Sequence, residues 1–169
     1  MTDLFYTHIP SPLGPLLLVG DEAALHGLSF PEGHKSYRPN PGWRTAEAPF
    51  AEARRQLDAW FGKELRDFDL PLAIHGTGFQ KRVWALLAAI PFGQTRSYGD
   101  LARDLGNPNA SRAVGLANGS NPLPIILPCH RVIGTNGALT GFGGGLPAKR
   151  FLLRHEGHRL EDEAQLRLF

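Results

Sequence analysis

A single cysteine, Cys129, stands in the 169-residue chain. One thiol excludes an intrachain disulfide framework and any zinc site built from several cysteines, and it fits a reducing cytosol. Long apolar runs are missing too, so no segment has the length to span a bilayer. The first ten residues have no basic stretch followed by an apolar core, so no signal peptide is expected. Net charge is small at +2, but it is unevenly spread. Up to Gly76 there are 7 Lys/Arg against 10 Asp/Glu; from Thr77 onward there are 11 against 6. The second part therefore has the basic character of a surface that meets phosphates, although such asymmetry is common.

An ordinary apolar fraction of 42% predicts a folded core. The first thirty residues read as short strands with turns. Leu16-Leu17-Leu18-Val19 is closed by Gly20-Asp21, and residues 25–30 form a second run. After a loop rich in Pro, Gly and Asn at 31–42, Phe50, Ala53, Leu57, Trp60 and Phe61 make a helical stripe stopped by Gly62. Phe68, Leu70 and Leu72 then alternate as a strand would. No catalytic constellation is visible in this half.

From Thr77 the pattern changes. Thr77 and Gln80 have capping-box spacing, and Phe79, Val83, Leu86, Leu87 and Ile90 make one helical face ended by Pro91. Ser97 and Asp100 repeat the box for a short helix at 98–105. Gly106-Asn107-Pro108-Asn109 is a turn, and a second short helix at 110–119 completes a candidate helix-turn-helix. Arg112 is the one long polar side chain on that second helix, whereas a major-groove reader needs several. Its small residues fit either close approach to a groove with little sequence preference or tight helix packing.

In Asn121-Pro122-Leu123-Pro124-Ile125-Ile126-Leu127-Pro128-Cys129-His130-Arg131-Val132 the Ile-Ile-Leu run reads as a buried strand or extended segment, with prolines fixing its entry and exit, and the cysteine leaves it at Pro128. His130 and Arg131 can both favour the reactive thiolate. In extended backbone, however, adjacent side chains point apart, so His130 is better placed to act through a bridging water than by direct contact. That argues against a cysteine protease, which needs thiol and imidazole in contact. The loop at 134–145 has six glycines but no Gly-Lys-Ser/Thr, so it is not a phosphate-binding loop. A helix at 147–155 ends before Gly157. In His155-Glu156-Gly157-His158 the histidines are three apart and a glycine interrupts them, so no metal site is expected. Glu156 could instead orient a histidine.

Pro128-Cys129-His130-Arg131-Val132 resembles the active-site motif of the O6-alkylguanine-DNA alkyltransferases. The resemblance extends over Ser97-Tyr98, Gly106-Asn107-Pro108, Arg112-Ala113-Val114-Gly115, Asn121-Pro122 and His155-Glu156-Gly157, in matching order. It implies a small α/β N-terminal domain, an antiparallel sheet plus helix, at 1–76. A mainly α domain with a winged-helix-like helix-turn-helix follows at 77–169. The implied activity is DNA repair by single-use transfer of an alkyl group from O6-alkylguanine, and from O4-alkylthymine, to Cys129, with no cofactor and no metal.

The resemblance also implies roles. The helix-turn-helix enters the minor groove, where Arg112 takes the place of a nucleotide rotated out of double-stranded DNA, with Ser111 and Ala113 beside it in the DNA contact. Tyr98 donates to N3 of the guanine, the carbonyls of Cys129 and Val132 accept from its exocyclic amine, and the Gly143 N–H approaches O6. His130, oriented by Glu156, takes the thiol proton through water. Asn121 holds the turn before the cysteine segment. Phe142 stands where many relatives have Tyr and keeps the apolar wall. Gly143 replaces a serine of some relatives, which suggests a freer loop that admits larger alkyl groups. A monomer in the cytoplasm, at the nucleoid in a bacterium, is expected. The competing readings are a lesion-binding protein without transfer, a cysteine hydrolase and a helix-turn-helix transcription regulator. Cys129 opposes the first, and the scarcity of long polar residues on the second helix opposes the last.

Overall fold

The computed structural model describes residues 3–134, 136–139 and 141–160. The end of the expected second domain, 161–169, lies outside the described residues. Four strands, β1 (Phe5–Ile9), β2 (Leu16–Gly20), β3 (Leu25–Ser29) and β4 (Arg44–Thr45), form one sheet in the order β3-β2-β1-β4. The central strand β2 is buried along its whole length, as an unbroken apolar run requires. Helix α1 (Ala51–Phe61) buries Ala53, Gln56, Leu57 and Trp60, one stripe at helical spacing.

This half is the small sheet-plus-helix unit expected, with two features added and one expected strand absent. The sheet is not purely antiparallel: β1 pairs antiparallel with β2, but β4 lies parallel to β1. The long connection through 30–43 brings the chain back to the sheet edge in the same direction as β1. Strand β1 itself was not singled out by pattern, because Phe-Tyr-Thr-His-Ile mixes polar and apolar residues on both faces. Phe68, Leu70 and Leu72 form no strand; only Leu72 bridges, to Leu25. Pro71 has no N–H for a ladder, and the Gln56 side chain substitutes, accepting from Asp69 N and donating to Asp69 O at 2.8 and 2.9 Å.

The second half holds α2 (Gly78–Ala88), α3 (Tyr98–Asp104), α4 (Ser111–Gly119) and α5 (Leu146–His155). Both expected capping boxes are complete. Thr77 and Gln80 exchange side-chain and backbone bonds at the start of α2, as do Ser97 and Asp100 at α3. A two-stranded parallel ladder, β5 (Arg96–Ser97) with β6 (Val132–Ile133), was not foreseen. It is too short to leave a period-2 signal. Its effect is large, since it fixes the start of α3 beside the residues that follow Cys129. Buried residues of both halves, among them Leu18, Trp60, Val83, Leu101 and Leu152, form one continuous cluster. Leu28 N donates across the halves to Pro122 O at 2.9 Å.

Candidate active site

The Leu123-to-Arg131 stretch is buried throughout, but it is not a strand. Ile125 has φ +74°, and Leu127 N donates to Leu123 O at 2.8 Å, so the segment folds back on itself. Two prolines near the turn, Pro122 and Pro124, restrict ladder pairing. Asn121 ties this turn, its Nδ2 donating to Leu127 O at 2.7 Å and its Oδ1 accepting from Leu123 N at 2.9 Å. Cys129, His130 and Arg131 then form one 3-10 turn. The extended geometry expected at the cysteine is therefore corrected.

Behind the cysteine lies a buried ionic cluster. His130 is fully buried, and its Nε2 lies 2.7 Å from Glu156 Oε2. With that nitrogen donating, Nδ1 is an acceptor; it is buried without a partner among the described residues. Arg131 clamps the same carboxylate, with Nε at 2.9 Å from Oε1 and one terminal nitrogen at 2.8 Å from Oε2. Its other terminal nitrogen donates to Ile90 O at 2.6 Å. Burial alone would raise the Glu156 carboxyl, but the His130 and Arg131 hydrogen bonds outweigh it and hold the group at about 2. His130 is pushed down, because burial penalises the imidazolium more than Glu156 favours it. A neutral base beside a fixed carboxylate results.

The thiol does not have the thiolate bias expected from its neighbours. Burial pushes Cys129 up to about 11, opposed by a hydrogen bond from Asn121 and by the charge of Lys149. Arg131 is committed to Glu156 instead. Lys149 is fully buried on α5, and its Nζ donates to Val132 O at 2.8 Å. Burial lowers its ammonium to about 8. Both carbonyls assigned to the guanine amine thus have a protein donor already: Val132 O from Lys149, and Cys129 O from Asn118 at 3.4 Å. Val132 O keeps a second lone pair, whereas Cys129 O also accepts from the Val132 N–H, so an incoming donor there would displace the long Asn118 contact.

On the other side of Cys129 is a cavity of about 60 Å³, lined also by Tyr37, Asn121, Phe142 and Gly143. It shares Lys35, Gly119, Phe142 and Gly143 with an outer groove of about 600 Å³. Tyr98, Ser111, Arg112 and Leu116 line that groove, so the helix-turn-helix and the cysteine open to the same space. Arg112 and Ala113 are exposed on α4, and Leu116 is 78% exposed, whereas Val114 and Ala117 pack inward. Gly115 faces the Tyr98 ring, with 3.9 Å to a Cβ built there.

Gly143 is less free than expected. Its carbonyl accepts from Lys35 N at 3.1 Å, and a Cβ on it would lie 2.8 Å from the Lys35 side chain. Phe142 packs against Phe30, ring centroids 5.5 Å apart. The 30–37 loop of the first half thus forms a wall of the cavity, which the sequence did not indicate. Lys149 was also missed as a site residue, and Arg131, read as a neighbour favouring the thiolate, instead pairs with Glu156. For Lys149 a signal existed, since it shares the helical spacing of Leu152, Leu153 and Glu156 on the buried face of α5. Among the described residues no cluster of three or more His, Cys, Asp or Glu side chains could hold a metal. His155 Nε2 instead bonds Trp60 O at 2.8 Å. No described helix is long and apolar enough to cross a membrane.

Comparison with known proteins agrees with this geometry. Residues 78–158 match the family described as 6-O-methylguanine DNA methyltransferase, DNA binding domain, and residues 4–74 match its ribonuclease-like domain. A methylated-DNA–protein-cysteine methyltransferase of Methanosarcina acetivorans is 53% identical over 91% of this chain and 99% of its own length. One of Mycobacterium tuberculosis is 49% identical over 98% of this chain and 99% of its own. The crystal structure of Mycobacterium tuberculosis OGT in complex with DNA superposes with a TM-score of 0.84 at 50% identity, covering 90% of this chain and 92% of that one. A Pyrococcus kodakaraensis O6-methylguanine-DNA methyltransferase, 22% identical with a TM-score of 0.55 over 92% of this chain and 99% of that one, shares the fold. This chain belongs to the 6-O-methylguanine DNA methyltransferase family.

Proposed function

We propose that this protein repairs double-stranded DNA by moving the alkyl group of O6-alkylguanine, and of O4-alkylthymine, onto Cys129 in a single-use reaction. Residues 77–169 form the DNA-binding and active-site domain and 1–76 the supporting domain. The protein acts as a monomer in the cytoplasm, at the nucleoid in a bacterial cell. The observation that carries this reading is one buried thiol on a narrow cavity, backed by a neutral His130 fixed to Glu156. The family match and the methylated-DNA–protein-cysteine methyltransferase names of the relatives support the substrate class.

The helix-turn-helix lies in the minor groove, with Ser111 and Ala113 against it. Arg112 fills the gap left by the rotated nucleotide, which offsets part of the few kcal/mol that extrusion costs. Tyr98 donates to N3 of the guanine, and the Gly143 N–H faces O6 beside the apolar wall of Phe142. The Cys129 and Val132 carbonyls accept from the exocyclic amine, Val132 O through its second lone pair and Cys129 O in place of the long Asn118 contact. The thiol proton passes by way of water to His130 Nδ1. The sulfur lone pair forms the S–C bond as the C–O6 bond breaks, and its electrons return to the base, which takes up a proton. The alkyl carbon of a thioether is not an acyl centre to which water can add, and a thiolate leaves it poorly, so the adduct persists and each molecule acts once. A thiol held near 11 rests protonated, which protects a cysteine that can be used only once.

Intact mass and peptide mapping after incubation with an O6-methylguanine duplex test the proposal. One methyl on the Cys129 peptide, matched mole for mole by restored guanine, is expected. Cys129→Ala keeps lesion binding and loses transfer, and Arg112→Ala loses extrusion. No mass gain with tight lesion binding would make the protein a sensor, and turnover on an ester would make it a hydrolase.

A further inference from the structure

We propose that Lys35, in the N-terminal half, is a DNA contact whose ammonium holds a phosphate flanking the rotated nucleotide. The proposal rests on the transfer reading for where that nucleotide lies, and it gives the nucleotide a partner outside the DNA-binding half. Lys35 lines the outer groove together with Tyr98, Ser111 and Arg112, and it also lines the cavity that holds Cys129. Its backbone is fixed there, since Lys35 N donates to Gly143 O at 3.1 Å. The first carbons of its side chain lie against Gly143, so the stem is supported while the residue stays exposed. Among the described residues no carboxylate lies within ion-pair distance of it.

Charge bookkeeping across the groove points the same way. Helix α4, Ser-Arg-Ala-Val-Gly-Leu-Ala-Asn-Gly, has one cation, and Arg112 is taken up by the base stack. A nucleotide that leaves the duplex swings its two phosphates toward the protein, and phosphate contacts are what set register and affinity on DNA. Lys35 places a cation, without a carboxylate partner among the described residues, on the groove wall where those phosphates turn. By this contact a half with more acidic than basic residues takes part in binding.

The test is equilibrium binding by fluorescence anisotropy to an O6-methylguanine duplex, with Cys129→Ala in every protein so that nothing is transferred. Adding Lys35→Gln weakens binding and makes the slope of log affinity against log salt shallower by about 1. Lys35→Arg restores both. Duplexes with a neutral methylphosphonate at each phosphate flanking the lesion identify the partner. At one of them the parent protein binds as weakly as Lys35→Gln, and the variant loses nothing more. An unchanged salt slope overturns the proposal, as does an equal loss on every methylphosphonate duplex, which would make Lys35 a prop for the Gly143 loop. Mass spectrometry of the wild type scores the chemistry separately. Absent methyl transfer with the Lys35 effect intact removes the reaction and leaves the phosphate contact standing.

Discussion

Four side chains behind and beside Cys129 are charged or polar and almost wholly out of water: His130, Arg131, Lys149 and Glu156. Burial of charge is tolerable only where partners replace the lost solvent. Glu156 meets that condition through His130, Arg131 and the Gly93 N–H, the last at 3.2 Å. Its folded pKa, about 2, lies below the ordinary value of 4.5. The sign follows directly: Glu156 stabilises the fold fully above the unfolded value, and that contribution disappears as pH falls from about 4.5 toward 2. Glu156→Gln leaves Arg131 buried without its counter-charge, a change that costs about 3–5 kcal/mol. Urea unfolding at stepped pH should show this loss at neutral pH together with a flatter acid limb, and transfer should slow as His130 loses its anchor. An acid limb as steep as that of the parent would mean that Glu156 does not govern it. At this scale the Cys129, His130 and Glu156 set was legible, because the motif and its spacing name them. The partner of Arg131 and the burial of Lys149 were not, since each depends on what lies across the fold.

At the scale of elements, local chemistry was the most legible. Thr77/Gln80 and Ser97/Asp100 cap α2 and α3 as their spacing predicts, because both partners of each box lie within one turn. Gly62 and Gly157 follow the ends of α1 and α5 in the same way. The loops were harder. Gly33 has φ +105°, and a Cβ on it would sit 2.2 Å from Gly143 O. Two glycine loops, one from each half, therefore touch backbone to backbone at the cavity wall. Gly33→Ala meets both an unfavourable dihedral and a clash, so it should cost about 1–3 kcal/mol and slow transfer by displacing Phe142 and Gly143. Gly78→Ala, with nothing within 4 Å of the added carbon, is the control and should leave transfer and stability intact. Thermal melts and single-turnover rates of the two variants decide the matter; equal behaviour would show that the loops do not depend on each other.

At the scale of the molecule, the two halves share their interior. Trp60 of α1 packs against His155 with ring centroids 4.4 Å apart and lies 6.3 Å from His130. The first half thus supports His130 from behind while its 30–37 loop walls the cavity in front. A common core favours cooperative loss of structure. Calorimetry should give one unfolding transition, with Trp60→Ala lowering it by about 3–5 kcal/mol and not splitting it. Two separable transitions would show that the halves fold independently.

The sequence by itself determined the family resemblance, the nucleophile, the helix-turn-helix and most helix boundaries. These depend on neighbours in the chain: a motif of consecutive residues, a capping box, a helical stripe. Tertiary structure alone decided that the thiol rests protonated, that Val132 O faces Lys149, that the cysteine sits in a 3-10 turn and that Lys35 reaches the groove. Those properties depend on distance through space and on exclusion of water, and neither is written in linear spacing.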